Sequence, residues 1–132
     1  MNPPYAGDLD LSATWALLEE NPDTVLIDVR TEHEWDTVGV ADLASLDKTA
    51  RYVEWNHAGG VGNPNFMDQA TAELATTDTP VVLLCRSGAR SAAAAAALTQ
   101  AGYTAAYNIA GGFEGPGAAG NGWQDNLPST TR

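Results

Sequence analysis

Two rhythms alternate along this chain: apolar residues at helical spacing, and short unbroken apolar runs. In DLSATWALLEENP, residues 10–22, Leu11, Trp15 and Leu18 recur at helical spacing, Asp10 or Ser12 stands in the capping position, and Asn21-Pro22 ends the segment. TVLIDV, residues 24–29, is a β-branched run suited to a buried strand. RTEHEW, residues 30–35, offers Thr31 and Glu34 as a capping box for a short helix. RYVEW, residues 51–55, alternates like a strand, and residues 57–65 read as loop. Helical spacing returns through Phe66, Ala70 and Leu74 in residues 65–75. TPVVLLC, residues 79–85, is the clearest buried strand; residues 91–102, closed by Gly102, are the clearest helix; residues 103–109 form a further strand. The following stretch, residues 110–128, is too rich in Gly and Pro for regular structure, with Phe113 and Trp123 expected to pin it to the body.

Strands separated by helices of this length predict an α/β fold, a central parallel sheet flanked by helices on both faces. No repeat or linker divides the 132 residues, so one domain is expected over residues 8–128, with loose ends at 1–7 and 129–132. No apolar stretch approaches the ~20 residues needed to cross a membrane, and the N-terminus has neither the basic nor the hydrophobic part of a signal peptide. The expected location is the cytoplasm. A net charge of −11 argues against nucleic-acid and anionic-membrane partners.

One cysteine, Cys85, excludes an internal disulfide and a Cys-rich metal site, and His33 and His57 come with no further ligand pattern. The chain is expected to hold no metal and no cofactor; its AGGFEGPGAAGNG segment, residues 110–122, lacks the Lys-Ser/Thr of a phosphate-binding P-loop.

Charge changes the picture at one place. The chain has only six basic residues, and two of them, Arg86 and Arg90, stand within five positions of its one thiol. Cys85 closes the strongest strand and precedes the strongest helix, the position where open α/β sheets gather their sites. A thiol is nucleophilic as the thiolate, and an ordinary cysteine with a pKa of ~8.5 is mostly protonated at neutral pH. Three features favour the anion: a helix start expected near Ser91, whose unpaired N–H groups face the loop; Gly88, which lets the loop curl into a nest of N–H groups; and the two arginines. The plain alternative is a small buried hydrophobe ending a strand, with the arginines in surface ion pairs.

CRSGARS, Cys85 to Ser91, resembles the active-site loop of single-domain bacterial sulfurtransferases of the rhodanese family. LIDVRTEHEW, Leu26 to Trp35, and YNIAGGFEG, Tyr107 to Gly115, are similar to the family's Asp-Val-Arg segment and closing Gly-Gly turn. The resemblance implies a sulfurtransferase that takes a sulfane sulfur from a small anionic donor, thiosulfate or a persulfide, onto Cys85 and passes it to a thiol or cyanide acceptor. It implies that the backbone of Arg86, Ser87, Gly88, Ala89, Arg90 and Ser91 cradles the terminal sulfur and that Arg86 meets the donor. Arg90 either contacts the donor or pairs with a carboxylate to hold the loop. Asp28 and Arg30 are either part of the rim or a structural ion pair.

The family's Gly-His-Ile-Pro-Gly-Ala segment is replaced by TVGVADLASL, residues 37–46, and the middle section 54–66 is longer than the common pattern. Phosphatases of the cell-cycle type share this fold and carry one more loop residue between Cys and Arg than the four found here, so the shorter loop favours sulfur over phosphatase or arsenate reductase activity. The remaining alternatives are a non-catalytic binding module and a thiol redox switch.

Overall fold

Val81–Leu84 is apolar at every position because the strand it forms is covered on both sides. A computed structural model describes residues 4–115 and 121–132 of the chain. Within them the elements run β1 (Gly7–Leu9), α1 (Leu11–Glu20), β2 (Val25–Asp28), α2 (Glu32–Thr37), β3 (Val40–Ala41), a 3-10 turn (Ala44–Leu46), β4 (Arg51–Tyr52), β5 (Asn56–His57), β6 (Val61–Gly62), α3 (Phe66–Thr71), β7 (Val81–Leu84), α4 (Ala89–Gln100), β8 (Ala106–Ile109), α5 (Trp123–Asn126) and β9 (Ser129–Thr130).

The main sheet has the order β1-β8-β7-β2-β4, all neighbours parallel. Alternate residues of its strands serve two cores. Ile27, Val81, Leu83 and Ala106 pack against Phe66 and Ala70 of α3 and Ala94, Ala95 and Leu98 of α4. Leu26, Val82, Leu84 and Ile109 pack on the other face against Leu18 of α1 and Trp123 of α5, with Phe113. The fold is the α/β sheet with helices on both faces that the sequence predicts. At roughly 25 cal/mol per Å² of apolar area, burying one such leucine contributes on the order of 2 kcal/mol, and removing one from the middle of β7 costs more because a cavity remains.

Local chemistry sets the helix ends. Asp10, not Ser12, caps α1, its carboxylate accepting from the Ala13 N–H at 2.7 Å. The Thr31–Glu34 capping box forms as expected on α2, with both reciprocal bonds present. Phe113 and Trp123 are both fully buried, and the Trp123 indole N–H donates to the Pro128 carbonyl at 2.7 Å.

Several features depart from expectation, among them α5, which forms at Trp123–Asn126 inside the stretch expected to lack regular structure. β1 takes in Gly7, the last residue of the expected loose end 1–7, and β9 pairs antiparallel with β3 inside the expected C-terminal loose end, 129–132. Residues 57–65 are not simple loop, because His57 and Val61 pair across a Gly59-Gly60 turn whose φ values are +86° and +81°. The expected strand at 51–55 keeps regular form only over Arg51–Tyr52, although the Val53 and Trp55 N–H groups still donate to the carbonyls of Asp28 and Val29. Finally, α4 starts at Ala89 rather than near Ser91, since Gly88 at φ +111° makes the turn into it. Of the Gly/Pro-rich stretch, residues 116–120 lie outside the described residues.

Candidate active site

Cys85 follows β7 directly, at the carboxyl end of a central strand, and only 1% of its surface is exposed. Its alternation with Val81 and Leu83 turns it toward the α4 face. The chain then curls through Arg86, Ser87 and Gly88, and the Gly88 N–H returns to the sulfur, donating to Cys85 Sγ at 3.1 Å. Only glycine suits that corner: its φ is +111°, and a Cβ there would sit 3.0 Å from the Ala110 carbonyl oxygen. Because α4 begins at Ala89, its first-turn N–H groups, which have no intrahelical acceptor, belong to the loop itself. Ser91 lies inside that first turn, fully buried, with its hydroxyl 3.2 Å from Sγ.

A second segment braces the loop from behind. The Phe113 N–H donates to the Cys85 carbonyl at 2.8 Å and the Glu114 N–H to the Arg86 carbonyl at 2.9 Å. Gly112 lets the two backbones approach so closely: its φ is +65°, and an added Cβ would fall 2.4 Å from the Arg86 carbonyl oxygen. The Gly-Gly turn recognised in the sequence is therefore the back wall of the cysteine loop.

The two arginines beside Cys85 have different surroundings. Arg90 is tied down: its Nη1 and Nη2 donate to the two carboxylate oxygens of Glu34 at 2.7 and 2.9 Å, in a half-buried position. Burial pushes the Glu34 carboxyl up, but the hydrogen bond and charge of Arg90, with the Thr31 hydrogen bonds, outweigh it and hold the group below the ordinary carboxylate value. The Glu34 hydrogen bond, against the opposing effect of burial, raises Arg90 above its ordinary value, with help from the Glu34, Cys85 and Asp28 charges. Arg86, by contrast, keeps 66% of its side chain exposed and meets Glu114 at 3.3 Å, an ion pair that an incoming anion can displace. Ser87 and Ala89 are exposed beside it, forming the outer surface of the loop.

Asp28 and Arg30 pair inside the molecule. Both are fully buried, Arg30 Nε and Nη2 donate to the Asp28 carboxylate at 2.7–3.1 Å, and Nη2 also reaches the Gly39 carbonyl at 2.8 Å. The guanidinium lies over the Phe113 ring at 4.2 Å, so the pair ties β2 to the segment that backs the cysteine loop.

Three residues near Cys85 have roles that sequence reasoning missed. Glu34 was visible only as a helix cap, not as the partner of Arg90. Asn108, which takes a 2.5 Å hydrogen bond from Ser91, carried a signal: it is a lone amide in the apolar strand AYNI. Asp8, which accepts from Asn108 at 2.9 Å, carried none. His57 pairs with Glu54 at 2.7 Å, and among the described residues no His/Cys/Asp/Glu group is arranged to hold a metal. Nor, among them, is any helix long and apolar enough to cross a membrane.

A buried thiol that follows a central strand, precedes a helix and accepts the Gly88 N–H is an arrangement in which a covalent step at sulfur is chemically feasible. Comparison with known proteins points the same way. A family model for the rhodanese-like domain matches residues 11–118. An uncharacterized protein of Rickettsia conorii is 37% identical over 114 residues, covering 85% of this chain and 87% of its own length. Thiosulfate sulfurtransferase GlpE of Actinobacillus succinogenes is 31% identical over 97 residues, covering 70% of this chain and 86% of that one. A crystal structure of an M. tuberculosis protein superposes with a TM-score of 0.89 at 43% identity, covering 97% of this chain and 99% of that chain. With a family match that spans four of the five strands of the main sheet and the cysteine loop, the chain belongs to the rhodanese-like domain family.

Proposed function

We propose that the protein is a sulfurtransferase that moves a sulfane sulfur from a small anionic donor, such as thiosulfate, to a thiophilic acceptor through a persulfide on Cys85. The observation that carries this reading is the setting of Cys85 Sγ at the base of a loop whose Gly88 N–H already points at it, directly before the start of α4. The likeness to a thiosulfate sulfurtransferase supports the same reading.

The chemistry follows from that setting. Cys85 sulfur, as the thiolate, attacks the outer sulfur of thiosulfate; the donor's S–S bond breaks and sulfite leaves with the bonding pair. The new terminal sulfur is anionic, and the N–H groups of the loop and of the first turn of α4 are the donors placed to hold it. A nucleophilic acceptor, cyanide or a thiolate, then attacks that sulfur and Cys85 departs as the thiolate. In this reading Arg86 meets the donor and Arg90 fixes the loop; the exposure of Arg86 and the pairing of Arg90 with Glu34 support it.

The net charge of −11 opposes the approach of a dianion, but exposed charges are screened over ~8 Å at physiological salt, so Arg86 and the helix start dominate close to the sulfur. The test is thiocyanate production from thiosulfate and cyanide, by wild type and by Cys85→Ser. Production by wild type alone supports the reading. Equal background in both, with sulfane donors of several kinds, removes it and leaves a binding module or a thiol switch.

A further inference from the structure

Asn108 is a buried amide in an apolar strand, and such a group requires partners for its donors and its acceptor. Its partners form a line across the sheet. The Tyr5 hydroxyl donates to Asp8 Oδ1 at 2.7 Å, Asn108 Nδ2 donates to the same oxygen at 2.9 Å, Ser91 Oγ donates to Asn108 Oδ1 at 2.5 Å, and Ser91 Oγ lies 3.2 Å from Cys85 Sγ.

The direction of each bond is fixed by what each group is able to give. A carboxylate only accepts, so the amide must turn its nitrogen to Asp8 and its oxygen to Ser91. That amide oxygen also only accepts, and a serine hydroxyl has one proton, which is thereby committed to Asn108. Toward Cys85, Ser91 presents lone pairs. A thiol meets them by donating its S–H; a thiolate sets an acceptor against an acceptor.

We propose that Asp8 and Asn108 are positioning residues that hold Ser91 as a hydrogen-bond acceptor toward Cys85 and so favour the resting thiol. Ionisation sends the thiol proton to water and turns the Ser91 hydroxyl from Asn108 to the sulfur, leaving the amide oxygen without its proton donor. Asp8 thus acts on a sulfur it does not touch, through two intervening side chains. The inference rests on Cys85 being the reactive atom and on nothing about the donor.

Other charged groups surround the thiol, and the test must separate them. On the loop and α4, the charge of Arg90 is paired with Glu34 of α2, while Arg86 is paired with Glu114. On β2, Asp28 and Arg30 neutralise each other. Asp8 also acts through its own field, which opposes a nearby anion whether or not the hydrogen-bonded line exists. Ser91 is what distinguishes the two routes.

The experiment is ultraviolet absorbance of the Cys85 thiolate against pH, read in wild type, Asp8→Asn, Ser91→Ala and the double variant; the single cysteine makes Cys85→Ser the blank. Asp8 is exposed on an edge strand, so Asp8→Asn keeps the fold, as its circular dichroism will show. An asparagine at position 8 is able to donate, which lets the Asn108 amide reverse and frees the Ser91 proton for sulfur. On the acid limb of the titration the thiolate fraction is expected to rise roughly three- to tenfold in Asp8→Asn. In the Ser91→Ala background the same change is expected to give a clearly smaller rise, the part due to the field of Asp8 alone, giving a coupled cycle. An equal rise in both backgrounds overturns the proposal in favour of a plain field effect, and no rise in either also overturns it. Because no sulfur donor is involved, the coupled rise in a protein that accepts no sulfur would retain the relay and remove the transferase reading instead.

Discussion

Arg90 and Glu34, 56 positions apart, join through two parallel hydrogen bonds at 2.7 and 2.9 Å, so the shape of the cysteine loop is keyed to α2, the helix that follows β2. Glu34 does double duty, since one of its oxygens also accepts the Thr31 N–H that closes the capping box. The arginine therefore sets where the first turn of α4 stands relative to Cys85. Lysine cannot reproduce a planar fork. Arg90→Lys is expected to lower kcat for sulfur transfer by up to roughly 10²-fold through misplacement of the loop, with KM for the donor much less affected. Steady-state kinetics with thiosulfate decide it; a change confined to KM would instead make Arg90 a donor-binding residue.

The same pair has a pH signature. Glu34 is held below its ordinary value in the folded protein, so its contribution to stability is fully present above the ordinary carboxylate value of 4.5 and is lost as pH falls through the lowered one. Glu34→Gln is expected to cost about 1 kcal/mol near neutrality. The difference between wild type and variant should shrink as the solution is acidified below about pH 4.5. Thermal midpoints of both proteins across that range check the sign. A gap that widens with acid would contradict the assignment.

Gly112 and Gly60 separate crowding from backbone strain. Both have positive φ, +65° and +81°, but an added Cβ meets the Arg86 carbonyl oxygen at 2.4 Å in the first and nothing within 4 Å in the second. Gly60→Ala is expected to cost about 1 kcal/mol from conformation alone. Gly112→Ala should cost clearly more, on the order of 3 kcal/mol, because two backbones must move apart, and it should lower sulfur transfer as well. Chemical denaturation of the two variants side by side measures the difference, and equal losses would mean that the contact behind the loop is slack.

Arg86 and Glu114 set the charge at the mouth of the site. With 66% of the Arg86 side chain exposed, the contribution is modest: Arg86→Ala should reduce kcat/KM for thiosulfate by roughly fivefold, and Glu114→Gln should raise it by a smaller factor. Added salt should slow the wild type by competition and shrink both differences. If salt instead accelerates the wild type, the overall charge of −11, not the local arginine, governs the encounter.

Much of this was legible in the sequence, and what escaped it has a common cause. The unbroken apolar run before Cys85, the Thr31–Glu34 box and the Gly-Gly turn at 111–112 are local patterns, and each corresponds to a local structure. β1 is three residues long and pairs in parallel with β8 about 100 positions away, where no turn links the two strands. The pairing of β3 with β9 is nearly as distant and, at two residues, shorter still. Gly59-Gly60, in contrast, is a hairpin signal that was there to be read, flanked by strands too short to show alternation. At the site, the start of α4 was misplaced by two residues because Gly88, with no side chain to signal a cap, makes the turn. The pairing of Arg90 with Glu34 and the line from Asp8 to Ser91 join residues 56 and 100 positions apart at their longest links, and only the closed sheet brings them together.

The central claim, that Cys85 carries sulfur, is tested most directly by the intact mass of the protein after incubation with thiosulfate, for wild type and Cys85→Ser. The account predicts a gain of one sulfur atom on wild type alone, and its loss on adding cyanide as thiocyanate appears. An unchanged wild-type mass with thiosulfate and with other sulfane donors would contradict it.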